Sequence, residues 1–243
     1  MDQILAITLR SMQHDMGRLD RVGMNLANAQ TVGYRRDVAT VPFARLAGEA
    51  AAAVGTAIDP RAGTLRNTGQ KLDVALGGPG WFEVRTEHGL AYTRQGNFQL
   101  DTQGRLVTAQ GHAVMGVGGE IELSHGMPLI DVLGRIFEGA LPGATPGRTD
   151  TTPLGQLKVV ATRPGAAVQR LGGGLVLLEG EPLPVPASDL QLRQGFLENA
   201  NVNSMQEMVQ LIQTMRHFES MQKVALGYDE MVGSAIRRLG DNS

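Results

Sequence analysis

The stretch DQILAITLRSMQHDMGRLDRVGMNLANAQTVGY, residues 2–34, determines how this chain begins its fold. Its apolar residues recur in alternating steps of four and three, which is the period of a helix that packs along one side. The pattern predicts a helix from about residue 2 to about residue 28. The apolar row consists of Leu5, Leu9, Met12, Met16, Leu19 and Leu26, and Gly23 interrupts it.

The last part of this stretch, residues 25–34, is where the apolar pattern stops. Asn28 and Gly33 suit a helix end, because amides bond to free backbone groups and glycine tolerates unusual backbone angles. We expect the amides of Asn25 and Asn28 to satisfy backbone groups where the chain turns away from the helix.

A second long helix is predicted at the other end of the chain, over about residues 204–239. Asn203 or Ser204 is a suitable N-cap, and Glu207 in the first turn complements the helix dipole. The apolar stripe is rich in methionine, which adapts its packing to different neighbours. It consists of Met208, Ile212, Met215, Phe218, Met221, Ala225, Tyr228, Val232, Ala235 and Leu239.

Two long helices at opposite ends of a chain most simply pair with each other. A pair of helices leaves each apolar stripe half exposed to water, so we expect these ends to become ordered in an assembly. In the alternative, both helices fold back onto the middle of their own chain, and the same periodicity fits that arrangement.

Between the helices the sequence has the alternation and the turns of a β-domain. Strands are predicted at 72–76, 81–84, 92–100, 105–108, 112–117, 121–123, 156–162 and 175–178. An alanine-rich stretch at 47–57 has the composition of a connector, and prolines and glycines at 142–147 and 180–186 indicate loops.

The predicted fold class is therefore α+β, with paired terminal helices and a central antiparallel β-domain. The helical domain is expected to contain residues 1–35 and 200–243. The β-domain is expected at 72–180, with 36–71 and 181–199 as linking segments.

The composition excludes several classes of function. The chain has 243 residues, of which 42% are hydrophobic and 4% aromatic, with 32 glycines and a net charge of −2. The sequence has neither a basic domain nor an acidic tail, so nothing indicates binding to nucleic acid or to a membrane surface. The absence of cysteine excludes disulfides and thiolate sites. With neither a signal peptide pattern nor a long apolar run, we expect a protein that stays in the cytosol or leaves by a route that needs no cleaved signal.

No group of residues indicates catalysis, a metal or a cofactor. The histidines have no metal-ligand spacing, and the glycine-rich segments 77–80 and 172–174 lack the lysine of a phosphate loop. Asp73 and Asp101 suit turns or strand ends better than a carboxylate pair. The histidines are His14, His88, His112, His125 and His217.

Two pairs of arginines, Arg35-Arg36 and Arg237-Arg238, have no aromatic platform for stacking bases. They are interpreted as solvated charge or as salt bridges between subunits.

Four passages together resemble the axial proteins of the bacterial flagellum, which form its rod and hook. NLANAQTVGYRRD resembles the N-terminal rod signature of this family, and LDVALGGPGWFEV resembles the opening of its β-domain. YTRQGNFQLDTQGRLVTAQGHAVMG resembles the family's hairpin, and QGFLENANVNSMQEMVQLIQTMRHFESMQK resembles its C-terminal signature. The passages cover well over half the chain in the expected order. Met24, Val32 and Trp81 depart from the residues that are usual there.

The resemblance implies a non-enzymatic structural subunit of the flagellar rod, the drive shaft that crosses the periplasm. The start Met-Asp and the segment RHFESMQKV resemble the proximal rod type. A distal rod protein is the alternative within the family, and a coiled-coil adaptor unrelated to flagella is the alternative outside it.

The resemblance also implies partners and contacts. The terminal helices would form an inner tube with copies of this chain or other rod proteins, after export through the flagellar type III apparatus. No cofactor, substrate or nucleic acid is implied. Subunit contacts are then expected at Leu5, Leu9, Met12, Met16, Leu19, Asn25, Leu26, Asn28, Gly33, Tyr34, Asn201, Asn203, Met208, Ile212, Met215, Phe218, Met221, Tyr228 and Val232.

Overall fold

A computed structural model describes residues 2–40, 55–124, 128–138, 152–163 and 165–240 of the chain. The chain divides into two compact units, which we call the helical unit and the β unit. Most of the predicted connector at 47–57, the loop at 142–147 and His125 lie outside the described residues. The helical unit contains the described residues of 1–27, 37–54 and 203–243, and the β unit contains those of 28–36 and 55–202.

Both predicted helices are confirmed. Helix α1 spans Asp2–Ala27 and helix α2 spans Ser204–Gly240. Asn203 is the N-cap of α2, because its side-chain oxygen accepts a hydrogen bond from the Gln206 amide at 3.2 Å. The short strand β1, Asp37–Thr40, also belongs to the helical unit.

The β unit is built from short antiparallel strands. In chain order they are β2 Gly55–Ile58, β3 Leu65–Asn67, β4 Val74–Leu76, β5 Trp81–Thr86, β6 Gly89–Thr93, β7 Gln99–Leu100, β8 Leu106–Val107, β9 Ala113–Gly116, β10 Gly119–Glu120, β11 Pro128–Ile130, β12 Arg135–Glu138, β13 Gly155–Gln156, β14 Val159–Ala161, β15 Val168–Gly172, β16 Leu175–Leu178, β17 Leu183–Pro184, β18 Leu192–Gln194 and β19 Phe196–Glu198.

The largest sheet of this unit has the order β15-β16-β6-β5-β9-β8-β7. Strand β10 pairs with β9, and β14 pairs with both β5 and β17. A three-stranded sheet has the order β11-β12-β13, and two further ladders join β18 to β4 and β19 to β3. Phe82 and Phe98 meet edge to face in the core at 5.2 Å between ring centroids. The α+β class with an antiparallel sheet is confirmed.

The turn between the predicted strands 92–100 and 105–108 is confirmed: it joins β7 to β8 and is closed by the side chain of Asp101. Its Oδ1 accepts hydrogen bonds from the amides of Gln103 and Arg105 at 2.8 and 2.9 Å. Gly104 follows with φ of 78°, the left-handed conformation that this turn requires. Asp101 therefore has the turn role that the sequence predicts for it.

Three predicted strands differ from the structure. Residues 121–123 make only an isolated bridge from Glu122 to Arg105. Residues 156–162 divide between β13 and β14, which belong to different sheets. Residues 94–98 interrupt the predicted strand 92–100. In each case the alternation of apolar and polar side chains continues through a bend as it does along a straight strand. The periodicity therefore does not show where the strand is interrupted.

Parts of both predicted linking segments contribute strands to the β unit. Strand β19 pairs with β3, with Leu197 opposite Arg66, and β18 pairs with β4, with Leu192 opposite Leu76. These ladders join segments that are more than a hundred residues apart in sequence. The two ends of the β unit are therefore held side by side.

Candidate assembly surface

Helices α1 and α2 lie against each other in the helical unit and run antiparallel. Asp15 Oδ2 lies 2.6 Å from Nδ1 of His217, and the Asn25 amide donates to Glu207 at 3.4 Å. Between these two contacts the residue number increases by ten along α1, from Asp15 to Asn25. It decreases by ten along α2, from His217 to Glu207. That opposite progression is what two antiparallel helices require.

Most of the fully buried residues on the two helices are polar, and Asn25 near the end of α1 is one of them. On α1 the buried residues Thr8, Asp15 and Val22 recur every seven positions. On α2 the buried residues are Glu207 and Thr214, also seven apart. Seven residues are close to two helical turns, so each set forms one stripe.

The predicted row on α1 lies beside this buried stripe and not in it. Leu5, Leu9 and Met16 have exposed fractions between 41% and 56%. Met12, Leu19 and Leu26 are half-buried. Packing of α1 against α2 therefore leaves much of the apolar row in contact with water.

The predicted stripe on α2 divides into two faces. Met208, Ile212 and Met215 are exposed by 48% to 54%, whereas the following members as far as Val232 are half-buried. The steps from Met215 to Phe218 and on to Met221 are both three residues, and each turns the stripe back by about 60°. The prediction of a single stripe is therefore corrected: the helix has an exposed apolar row followed by a half-buried one on another face. The half-buried members are Phe218, Met221, Ala225, Tyr228 and Val232.

The two asparagines at the end of the apolar row have different partners. Asn25 accepts a hydrogen bond from the amide of Asp37 at 2.8 Å and donates to its carbonyl at 3.0 Å. The expectation that Asn25 satisfies backbone groups is confirmed. Asn28 accepts from the hydroxyl of Thr31 at 3.2 Å.

In the β unit, Glu198 lies between two buried arginines. Its Oε1 is 2.9 Å from Nη2 of Arg35, and its Oε2 is 3.1 Å from Nη1 of Arg94. The three side chains are exposed by 1% to 4%. The interpretation of Arg35 as solvated charge or an intersubunit salt bridge is therefore wrong, because its carboxylate partner is 163 residues away in the same chain.

Burial acts strongly on this triad. Desolvation, together with the nearby charge of Arg35, lowers the pKa of Arg94 to about 10, against the attraction of Glu198. Burial lowers the pKa of Arg35 as well. Both guanidinium groups stay charged at neutral pH and depend on one carboxylate, since an unpaired buried charge is costly.

Tyr34 and Asn201, which the sequence places at subunit contacts, have internal partners in the β unit. Tyr34 is buried, and the guanidinium of Arg170 stacks 4.3 Å from its ring centre. Asn201 donates to the carbonyl of Arg61 at 2.8 Å and accepts from the amide of Arg36 at 2.6 Å. These contacts tie the two ends of the β unit together.

Gly33 permits a close approach between backbones at this junction. Its φ is 67°, and a Cβ atom there would lie 2.4 Å from the carbonyl carbon of Arg94. Its amide donates to the carbonyl of Glu198 at 2.7 Å. The prediction that Gly33 ends the helix is corrected, because α1 already ends at Ala27 and Gly33 lies six residues beyond it.

We expect Gly33→Ala to destabilise the β unit by at least about 2 kcal/mol, because strain and a backbone clash act together. Gly69→Ala is the matched control, since Gly69 has φ of 68° and no atom near its missing Cβ. Urea unfolding gives the free energy of unfolding of both variants, and the difference between their losses measures the cost of the clash. Equal stabilities would show that the approach to Arg94 carries no cost.

Within the described residues, no group of three or more histidine, aspartate or glutamate side chains is arranged to hold a metal ion. The same part of the chain contains no helix that is both long and apolar enough to span a membrane.

Two family models match the chain. The model described as "Flagellar basal body rod FlgEFG protein C-terminal" matches residues 193–238, and "Flagellar hook protein FlgE/F/G D1 domain" matches residues 75–133. The first includes β19 and nearly all of α2, and the second includes β5 to β9.

Curated relatives match along nearly the whole chain. The sequence is 34% identical to the flagellar basal-body rod protein FlgF of Escherichia coli and 33% identical to that of Salmonella typhimurium, each match covering 98% of this chain and 99% of the relative. It is 28% identical to the flagellar basal-body rod protein FlgG of Bacillus subtilis, with 94% of this chain and 96% of that protein covered.

Proposed function

This chain belongs to the flagellar basal-body rod protein family as a structural subunit of the FlgF type, and from that premise we propose that exposed apolar rows on its two helices form its contacts with neighbouring subunits. It is not an enzyme, and its place is the rod of the flagellar basal body. Family membership also excludes an adaptor unrelated to flagella.

The observation that carries the proposal is the inverted distribution of polarity in the helical unit. Thr8, Asp15, Glu207 and Thr214 are buried between the helices, while large apolar side chains face water. Exposed apolar groups on one contiguous face indicate a surface that is covered in the functional state.

Helix α2 presents the clearer of the two rows. Met208, Ile212 and Met215 follow one another at steps of four and three, so they lie along one face. That face is far from the stripe of Glu207 and Thr214, because the two sets differ by more than a quarter turn around the axis. A helix of another subunit can pack there without displacing α1.

Helix α1 offers a second row at Leu5, Leu9 and Met16. Its side chains are exposed next to the buried stripe and not opposite to it. A neighbouring helix in the groove beside the pair would cover this row and would also contact the half-buried Met12 and Leu19. Two rows on different helices allow one subunit to contact more than one neighbour.

Family membership supports a wider arrangement. Copies of the chain and other rod proteins would pack their terminal helices side by side as a coiled-coil layer. Torque would pass through many parallel helix contacts, and export would use the flagellar type III apparatus without a cleaved signal.

Protection from trypsin tests the proposal, since a covered helix opens less often than an exposed one. In the free full-length subunit we expect cleavage at Arg10, Arg18 and Lys223 to be at least about tenfold faster than after assembly with a neighbouring rod protein. Arg85 in strand β5 is the internal control, and its cleavage rate is expected to stay unchanged.

Mass spectrometry of the fragments identifies the sites. Equal protection of the helical sites in the free and the assembled subunit would contradict the proposal.

A further inference from the structure

The β unit contains a cavity of ≈ 180 Å³ that the assembly contacts do not use. This volume is about ten times the smallest one that holds a water molecule. Arg35 and Arg94 line it together with apolar side chains, among them Pro60, Trp81 and Val168. An apolar wall with a few charged groups is the composition of a site for a small ligand or an inserted side chain.

Positive charge is in excess at this cavity. Glu198 is the only carboxylate that lies within ion-pair distance of Arg35 or Arg94 among the described residues. Asp59 lies nearby, but its two oxygens bond to Arg61, with Oδ2 at 2.6 Å from Nη2 of that arginine. Two guanidinium groups therefore share one carboxylate.

The two arginines also have unused hydrogen-bonding capacity. The Nε atoms of Arg35 and Arg94 are buried and have no hydrogen-bond partner in the described part of the chain. The other nitrogens of Arg94 donate to Glu198 and to the carbonyl of Gly78 at 2.9 Å. These Nε atoms are too deeply buried to reach a ligand, so a further anion would be attracted by the net positive charge of the two guanidinium groups.

Trp81 makes the cavity selective in shape. The guanidinium of Arg94 lies 5.7 Å from the centre of the Trp81 ring. A carboxylate can lie beside the two guanidinium groups, attracted by their charge, while an aliphatic stem packs on the apolar wall. A spherical or strongly hydrated anion gains less from that wall.

We propose that this cavity binds a carboxylate carried on a short aliphatic stem. The carboxylate has two possible sources with the same chemistry: a glutamate side chain of a neighbouring subunit, or a free dicarboxylate. The site is separate from the helix contacts of the proposed function, so binding of a free carboxylate does not depend on them.

Fluorescence of the single tryptophan reports on the cavity directly, because Trp81 lines it. Titration of the full-length subunit with glutarate at constant ionic strength is expected to give a saturable change. At roughly ten times the dissociation constant, the Tm is expected to rise by about 3 °C. A linear response, or the same response to chloride, would overturn the proposal.

A variant that supplies its own carboxylate gives an independent test. Thr162 lines the cavity, and Thr162→Glu is expected to have a higher Tm than Thr162→Gln, which has the same size without the charge. Thr162→Glu is also expected to lose the response to glutarate, which Thr162→Gln keeps. A Glu variant that is no more stable than the Gln variant, or that still responds to glutarate, would contradict the site.

The source of the carboxylate is decided in the assembled state. If a neighbouring subunit supplies it, assembly with a rod partner abolishes the glutarate response, and Thr162→Glu weakens that assembly while Thr162→Gln does not. If the natural ligand is free, the assembled subunit still responds to glutarate and both variants assemble equally.

Discussion

Replacement of Glu198 by glutamine is expected to destabilise the β unit by about 3–5 kcal/mol, because it removes the one counter-charge of two buried cations. Arg35 and Arg94 would each stay buried without a carboxylate within ion-pair distance. For a domain of this size the corresponding fall in Tm is about 6–20 °C. Glutamine keeps the shape but has only one acceptor oxygen, so the loss combines the missing charge with one missing hydrogen-bond acceptor.

Contacts of Glu198 with the backbone increase the effect. Its Oε1 also accepts a hydrogen bond from the amide of Gly63 at 2.9 Å. A Cβ at Gly63 would lie 1.8 Å from the carbonyl oxygen of Asn199, so the two segments approach as closely as backbones can. The carboxylate therefore holds residues from both ends of the β unit, and a weaker acceptor loosens both.

Glu120→Gln is the control for the removal of a charge. Glu120 also contacts two arginines, Arg85 at 3.1 Å and Arg105 at 3.4 Å, but its side chain and theirs are partly exposed. Its replacement is expected to cost less than about 1 kcal/mol, since water screens surface pairs. Urea unfolding compares the two variants, and equal losses would show that burial of the triad adds nothing.

The sequence predicts the two helices well because each of them has a long series of apolar residues at steps of three or four. The alternation of Leu5 to Leu26 is sustained over about three heptads, and a competing turn would break it visibly. It does not predict which face meets the partner helix. Thr8, Asp15 and Val22 share one period with the apolar row, and only the positions of both helices show that the polar stripe is the internal one.

The sequence does not predict the buried triad of Arg35, Arg94 and Glu198. Arg35 belongs to an arginine pair, which is usually a solvated feature, and nothing near it in the chain signals burial. The carboxylate that makes its burial possible comes from Glu198, at the other end of the β unit. Long-range pairing of this kind has no local period, and the same holds for the ladder of β19 with β3.

The exposed row on α2 leads to the largest expected effect on function. Ile212→Asp is expected to abolish assembly with rod partners, because burying an unpaired carboxylate costs far more than the apolar contact that it replaces. The fold of the subunit should be unaffected, since Ile212 is 52% exposed and points away from α1. Loss of motility with normal stability is therefore the expected phenotype.

Gln213→Asp is the matched control, because it places the same charge one position along the helix. Gln213 is exposed and lies about 100° around the axis from Ile212, away from the row of Met208 and Met215. It is expected to assemble as the unmodified chain does. Sedimentation with a rod partner and swimming of complemented cells measure assembly, while circular dichroism measures the fold. Because the proposal assigns the contact to one face, equal assembly of the two variants would place that contact elsewhere on the subunit.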